Sequence, residues 1–267
     1  LDEAFRALAR ELPGATPGYV RLPERPDDAL VVDLADPVGA RDGDRWTTVF
    51  LDPYDARLLG GRDEYGWRVD RLHLMPLLYR LHYTLGAGEP GRWLMGLAAA
   101  AWTLTGFLGL ALAVPRWRLF KRSLSVRRRG KPVAIAYDWH RATGMATLVL
   151  LTVVAFSGFY LTLPEFVEGP MTAAGIELGD PRRDLPPSAT FATGADVGWS
   201  AAVASASSAV PGGRVFGLTL DEERGYYQVR VVEPDDVHVR GTRRVMVDAG
   251  TGAVVVNWSQ LGATPAE

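Results

Sequence analysis

The sequence predicts an α-helical membrane hairpin of two transmembrane helices, flanked by two small extracytoplasmic α+β domains. Three observations carry that prediction. Residues 93–114 and 142–163 are each runs of 22 residues without a charge. At about 1.5 Å per residue such a helix spans roughly 33 Å, the thickness of a bilayer's hydrocarbon core. Between them, residues 115–132 carry eight arginines and lysines and no acid, the mark of a cytoplasmic loop between two spans. On either side of the pair one layout recurs. It ends in Val49-Phe50-Leu51-Asp52-Pro53-Tyr54-Asp55-Ala56-Arg57-Leu58 before the hairpin and in Val245-Met246-Val247-Asp248-Ala249-Gly250-Thr251-Gly252-Ala253-Val254 after it.

Taken in order, residues 1–66 read as the first domain. Asp2 and Glu3 open a helix with Phe5, Leu8, Ala9 and Leu12 on one face, and Pro13-Gly14 ends it. Alternating runs at 19–22, 30–34 and 46–51 follow, and the turn at 52–55 leads into 56–59. The helix at the start is polar and amphipathic, unlike a signal peptide, so an export signal or membrane helix is expected upstream of Leu1. Residues 67–91 read as an interfacial helix and turn, since LHLMPLLYRLHYTL mixes apolar residues with His73, Arg80 and His82 before GAGEPG. The transmembrane helices fall at 92–115 and 137–164, with a basic cytoplasmic loop at 116–136. Residues 165–198, rich in Gly and Pro, read as a connector. The second domain, 199–267, has a helix at 199–210, the break Pro211-Gly212-Gly213, strands at 215–220, 226–232, 237–239 and 244–247, and a turn into 253–256.

Composition narrows the chemistry. The chain has no cysteine, which excludes disulfides, thiolate-bound zinc, iron–sulfur clusters and thiol catalysis. A net charge of −2 argues against a nucleic-acid partner. Neither membrane run holds an Asp, Glu, Lys or Arg between its ends, whereas ion-coupled transporters need such groups at mid-depth. Thr105-Gly106-Phe107 and Ser157-Gly158-Phe159 are small-residue steps suited to close helix packing. No nucleophile-elbow, zincin or phosphate-loop signature occurs.

Two of the four histidines share a setting. His82 is followed four residues later by Gly86, and His140 by Gly144; on a helix each glycine would lie on its histidine's face, one turn on. A face without side chains beside an imidazole admits a flat macrocycle, and imidazole is an axial ligand of haem iron. Arg80 and Arg141 adjoin the two sites and suit propionates. Headgroup-layer histidines with no ligand are the other reading, and both stand on the residues alone. Because His82 precedes its span on the outer side and His140 precedes its span on the inner side, the two cannot share one iron. His73 is expected at the interface and His238 on a solvated strand.

The chain resembles the PepSY-associated transmembrane family, the iron-regulated membrane proteins that include ferric-siderophore reductases. The residues carrying the resemblance are LYRLHYTLGAGEPGRWLMGLAAAAWTLTGF, the basic loop running into YDWHRATGM, the late SGFYL, and the endings LDPYDARLL and VDAGTGAVV of two PepSY-like domains. It implies a multi-pass protein of the bacterial inner membrane with periplasmic PepSY domains. It also implies two b-type haems, one near each membrane face. His140 would pair with a histidine of a helix before Leu1, and His82 with one of a helix after Glu267. Electrons would pass from an unidentified donor across the lipid bilayer to a ferric-siderophore or similar acceptor, whose oxygen-rich chelator holds Fe(II) less firmly than the harder Fe(III). The alternative is a non-catalytic membrane protein whose PepSY domains bind peptide or protein partners and restrain a protease.

Overall fold

The computed structural model describes residues 1–39, 45–113, 123–176 and 185–259. They form two compact units, Leu1–Pro76 with Gly179–Glu267, and Leu77–Leu178. Four of the loop's cations, Arg116, Arg118, Lys121 and Arg122, lie outside the described residues, as does part of the expected connector.

The first unit is built from two copies of one pattern, a helix followed by four antiparallel strands. The first copy is α1 (Asp2–Glu11), β1 (Pro17–Arg21), β2 (Leu30–Gly39), β3 (Arg45–Leu51) and β4 (Leu58–Arg62). The second lies beyond the hairpin and holds its own helix, Trp199–Ala209, with β5 (Arg214–Asp221), β6 (Tyr226–Val232), β7 (Arg243–Asp248) and β8 (Val254–Ser259). Two separate domains were expected. Instead the copies share one eight-stranded sheet in the order β4-β3-β2-β1-β5-β6-β7-β8. At the seam Tyr19 lies opposite Thr219, Val20 opposite Leu218 and Arg21 opposite Gly217. Separate sheets would each leave another strand edge unpaired and would split an already small core. Joined, they bury Leu8, Val20, Val32, Val49, Leu218, Val229 and Val245 in one cluster beneath the two helices.

The helices are tied together at their N-termini. The Asp2 carboxylate accepts hydrogen bonds from the amides of Trp199 (2.8 Å) and Ser200 (3.2 Å), while the Ser200 hydroxyl accepts one from the Asp2 amide at 3.3 Å. Asp2 thus caps the other copy's helix. Burial pushes its carboxyl up, but the bonds from Ser200 and Trp199 outweigh that and hold it below its ordinary pKa.

The repeated endings recognised in the sequence form one turn twice. Asp52 Oδ1 accepts from the amides of Tyr54 (2.8 Å) and Asp55 (3.3 Å). Asp248 Oδ1 accepts from Gly250 (2.9 Å) and Thr251 (2.8 Å). Four residues after each aspartate the backbone turns left-handed, at Ala56 (φ 61°) and Gly252 (φ 74°). A methyl at Gly252 would meet only ordinary contacts, the nearest being Val197 Cγ1 at 3.5 Å, so backbone conformation alone carries the effect of adding one. Gly252→Ala is expected to cost about 1 kcal/mol in urea unfolding. Ala56→Gly should recover less, because the freer unfolded chain offsets the relieved strain.

Three expectations shift. The fourth strand begins at Leu58, because Ala56 is spent in the turn. Residues 237–239 form no strand: Asp236 accepts from the Glu233 amide (2.8 Å) and the Thr242 hydroxyl (2.6 Å) and folds the segment into a loop, with Val237 and Val239 exposed. His238 is therefore a loop residue, its Nδ1 accepting from the Arg240 amide at 3.2 Å.

The second unit holds α2 (Leu74–Thr84, whose first turn belongs to the other unit), α3 (Gly88–Ala113), α4 (Pro132–Thr162) and α5 (Glu165–Ala173). Both long helices start before their predicted spans, and α4 does so because Pro132 occupies a first-turn position where its missing amide hydrogen costs nothing. The expected connector opens as α5, whose first turn bonds back to the Pro164 carbonyl from Val167 (2.9 Å) and Glu168 (2.8 Å). Helices α3 and α4 run antiparallel, with Gly96 against Leu163, Gly106 against Thr152 and Gly109 against Leu148. These glycines let the backbones approach closely, and a Cβ added at Gly158 would lie 3.9 Å from that of Ala99. The hydroxyls of Thr103 and Thr152 bond to the carbonyls of Ala99 (2.8 Å) and Leu148 (2.7 Å) in their own helices, so neither is left unsatisfied in apolar surroundings. Most of the large apolar side chains on both helices are exposed, as lipid-facing side chains are.

Candidate functional site: the two ends of the hairpin

Since α3 and α4 are antiparallel, His140, in the third turn of α4, lies at the end of the hairpin where α3 finishes. His82 lies at the other end, because the carbonyl of Thr84, two residues on, abuts Gly91 in the first turn of α3. The 26 residues of α3 separate the two ends by about 39 Å. The two imidazoles therefore stand apart, as their places in the sequence require.

At the end where α3 finishes, His140 is exposed on α4 and Gly144 is exposed one turn on. Among the described residues nothing lies within 4 Å of where a Cβ on Gly144 would be. Gly144 thus lies one helical turn from His140, as the spacing predicts, and adds no side chain there. Arg141 is already engaged: it donates to the carbonyls of Ser123 (3.2 Å) and Ser125 (2.8 Å) and lies 3.4 Å from Asp138. Asp138, only 3% exposed, accepts from Arg127 Nε at 2.6 Å and from the Arg127 amide at 3.2 Å. This carboxylate pins the end of the basic loop to the helix that carries His140, through charge-assisted hydrogen bonds. The sequence reading passed over it. The signal was there, since Asp138 is the one acid in residues 115–142, amid the cations.

At the other end His82 is exposed in the last turn of α2, but Gly86 is not on its face. The helix stops at Thr84, and Leu85 (φ 53°) and Gly86 (φ 71°) turn left-handed. The Leu85 amide still bonds to the Leu81 carbonyl at 3.0 Å. Gly86 is thus a helix-terminating residue, needed for its positive φ. Arg80 is half-buried two residues before His82. Nearby Arg92 donates to Glu89 (2.9 Å) and to the Thr162 carbonyl, satisfying the frayed end of α4.

His73 is engaged within its own unit. It precedes α2 and is 6% exposed. Its Nδ1 lies 2.8 Å from both oxygens of Asp70. The same carboxylate accepts from the amides of Leu72 (2.9 Å) and His73 (3.0 Å) and so starts the helix. The His73 hydrogen bond holds the Asp70 carboxyl below the usual carboxylate range. His73 borders a recess of about 80 Å³ with Arg45, Trp46 and Arg62, far smaller than a haem pocket. Among the described residues no three His, Asp or Glu side chains gather as a metal site.

Residues 2–261 match the family model described as PepSY-associated TM region. No curated protein matches the sequence.

Proposed function

The chain belongs to the PepSY-associated TM family, and on that premise we propose that it is a haem-b electron-transfer protein of the bacterial inner membrane, reducing a ferric siderophore or related ferric chelate on the periplasmic side. The observation that carries the reading is one exposed histidine at each end of one membrane hairpin. Each imidazole offers an axial nitrogen, and the open face at Gly144 leaves room for a flat ring beside His140. Bound haem supplies a one-electron carrier whose iron cycles between Fe(III) and Fe(II).

The chain's own residues divide the remaining work. Asp138 and Arg127 hold the basic loop against α4 and so fix the surroundings of His140. Arg141 is committed to the loop carbonyls and to Asp138, which leaves propionate pairing at this end to other cations. Arg80 is the cation beside His82. The glycine contacts hold α3 against α4, and the length of α3 separates the end of α2 that carries His82 from His140. His140 and His82 would each hold one haem, and a further histidine on another helix would complete each site.

The test is the visible spectrum of the natural protein, purified from membranes, before and after dithionite. A Soret band that shifts on reduction, with a sharp α band, is expected. A featureless spectrum overturns the haem reading and leaves the peptide-binding alternative.

A further inference from the structure

Six large apolar side chains, Tyr65, Trp67, Val69, Leu72, Leu74 and Met75, are exposed in one short stretch where the chain leaves the sheet of the first unit. Trp67 is 65% and Val69 80% exposed. Apolar residues scattered singly on a surface need no explanation, but a run of this kind marks a contact. Fraying does not account for it, because the stretch is pinned at both ends. Asp63 Oδ1 accepts from the Tyr65 amide at 2.8 Å, and the Asp63 carbonyl from the Gly66 amide at 3.3 Å. At the other end the Asp70 carboxylate holds the Leu72 and His73 amides, and the Asp70 carbonyl accepts from the Leu74 amide at 2.9 Å. His73 is buried at the start of α2, whereas Met75, Leu78 and Tyr79, three and four residues apart, share an exposed side of that helix.

Two features say what covers these side chains. One is continuity. The chain passes from this stretch through α2 into α3, the first of the two helices long and apolar enough to cross a membrane, so the patch continues along the chain into the lipid-facing surface of the hairpin. The other is composition. Trp and Tyr among aliphatic residues and arginines make up the boundary between lipid headgroups and acyl chains. The acids of the stretch are spent within the fold, Asp63 and Asp70 on the amides above and Glu64 on Arg62 at 2.7 Å. Arg68 lies 3.6 Å from Asp70. Arg71 is exposed, with no ion pair among the described residues, and a guanidinium so placed suits a lipid phosphate.

We infer that residues 65–75 anchor the first unit to the surface of a phospholipid bilayer, with Trp67, Val69 and Met75 in the boundary below the headgroups and Arg71 at the phosphates. The sequence places an interfacial helix over 67–91. The structure extends the contact upstream into a loop of the first unit and takes His73 out of it. The first unit thereby gains a lipid contact of its own, apart from the two crossings and independent of any haem.

The chain has no cysteine, so one can be introduced by Val69→Cys and labelled with the environment-sensitive fluorophore NBD. The natural protein, with any cysteine elsewhere changed to serine, is placed in nanodiscs of phosphatidylethanolamine and phosphatidylglycerol carrying doxyl-labelled lipid. Val237→Cys is the reference: Val237 is 94% exposed in the loop after β6, and the antiparallel strand order puts that loop at the opposite end of the sheet from the end of β4. Doxyl groups high in the acyl chain are expected to quench the label at residue 69 at least about threefold more than at residue 237, and more than doxyl groups near the chain end, as insertion by about 5–10 Å requires. Met75→Asp, which puts a charge in the boundary, should lower that quenching at least about twofold. Met75→Cys repeats the measurement should Val69→Cys melt low. Quenching at residue 69 no greater than at residue 237 overturns the proposal. So does a blue-shifted label at residue 69 that doxyl lipid does not reach, since a protein partner would then cover the patch.

Discussion

Replacing His140 with alanine in the natural protein is expected to remove about half of its haem, His82→Ala the other half, and the double variant nearly all of it. The expectation follows from separation. The ends of the hairpin are too far apart for one iron, so on the proposed reading each histidine would serve its own haem and neither loss should propagate to the other. Pyridine haemochromogen quantification per mole of protein checks this. Unchanged haem in both single variants removes these residues from the ligand set. Complete loss in either one means the two haems do not bind independently. A control separates ligation from packing. Asp138→Asn keeps His140 but weakens the tie to Arg127 and Arg141, so it should lower the thermal stability of haem binding without halving the haem content. Gly144→Leu, which fills the open face, should act like His140→Ala, since the ring and the leucine would compete for the same space.

Much of this architecture is legible in the sequence because it rests on short-range patterns. Two uncharged runs give the hairpin, and the recurrence of Val-x-Leu-Asp and Val-x-Val-Asp before a turn gives the repeat. Asp52 and Asp248 then build that turn with the same hydrogen bonds. What the sequence does not display is long-range pairing. Nothing local in Tyr19-Val20-Arg21 states that its partner lies some two hundred residues away on β5, so two domains were expected where there is one sheet. The site divides in the same way. His140 and Gly144 are related by helical spacing and appear as predicted. The identical spacing of His82 and Gly86 fails because it crosses a helix end, and a positive φ is not visible in a spacing. Asp70 beside His73 could have been read as a helix start, since an aspartate preceding an apolar helical run is a capping signal. The burial of Asp138 needed the fold of the loop around it.

Leu218→Ala carries the largest expected effect on the first unit. Leu218 is fully buried at the seam, opposite Val20, itself fully buried, and truncating such a leucine costs about 2–5 kcal/mol. What makes the variant informative is where the loss appears. If the two copies were separate folding units, the damage would stay within β5 to β8 and their helix. The structure argues otherwise, because three independent ties cross the seam: the β1 to β5 ladder, the shared core, and the cap that Asp2 places on Trp199 and Ser200. One aromatic contact crosses it too, and a second anchors it within the second copy. Phe5 of α1 meets Trp199 edge-on at 5.3 Å, and Trp199 meets Tyr227 of β6 at 5.2 Å. Opening one copy would expose the core face of the other, so the two should open together. Hydrogen exchange followed by mass spectrometry is the measurement. A loss of about 3 kcal/mol predicts amide exchange roughly a hundredfold faster in β2 and β3 as well as in β6 and β7. Faster exchange confined to the second copy would mean that the sheet is continuous in geometry but divided in energy.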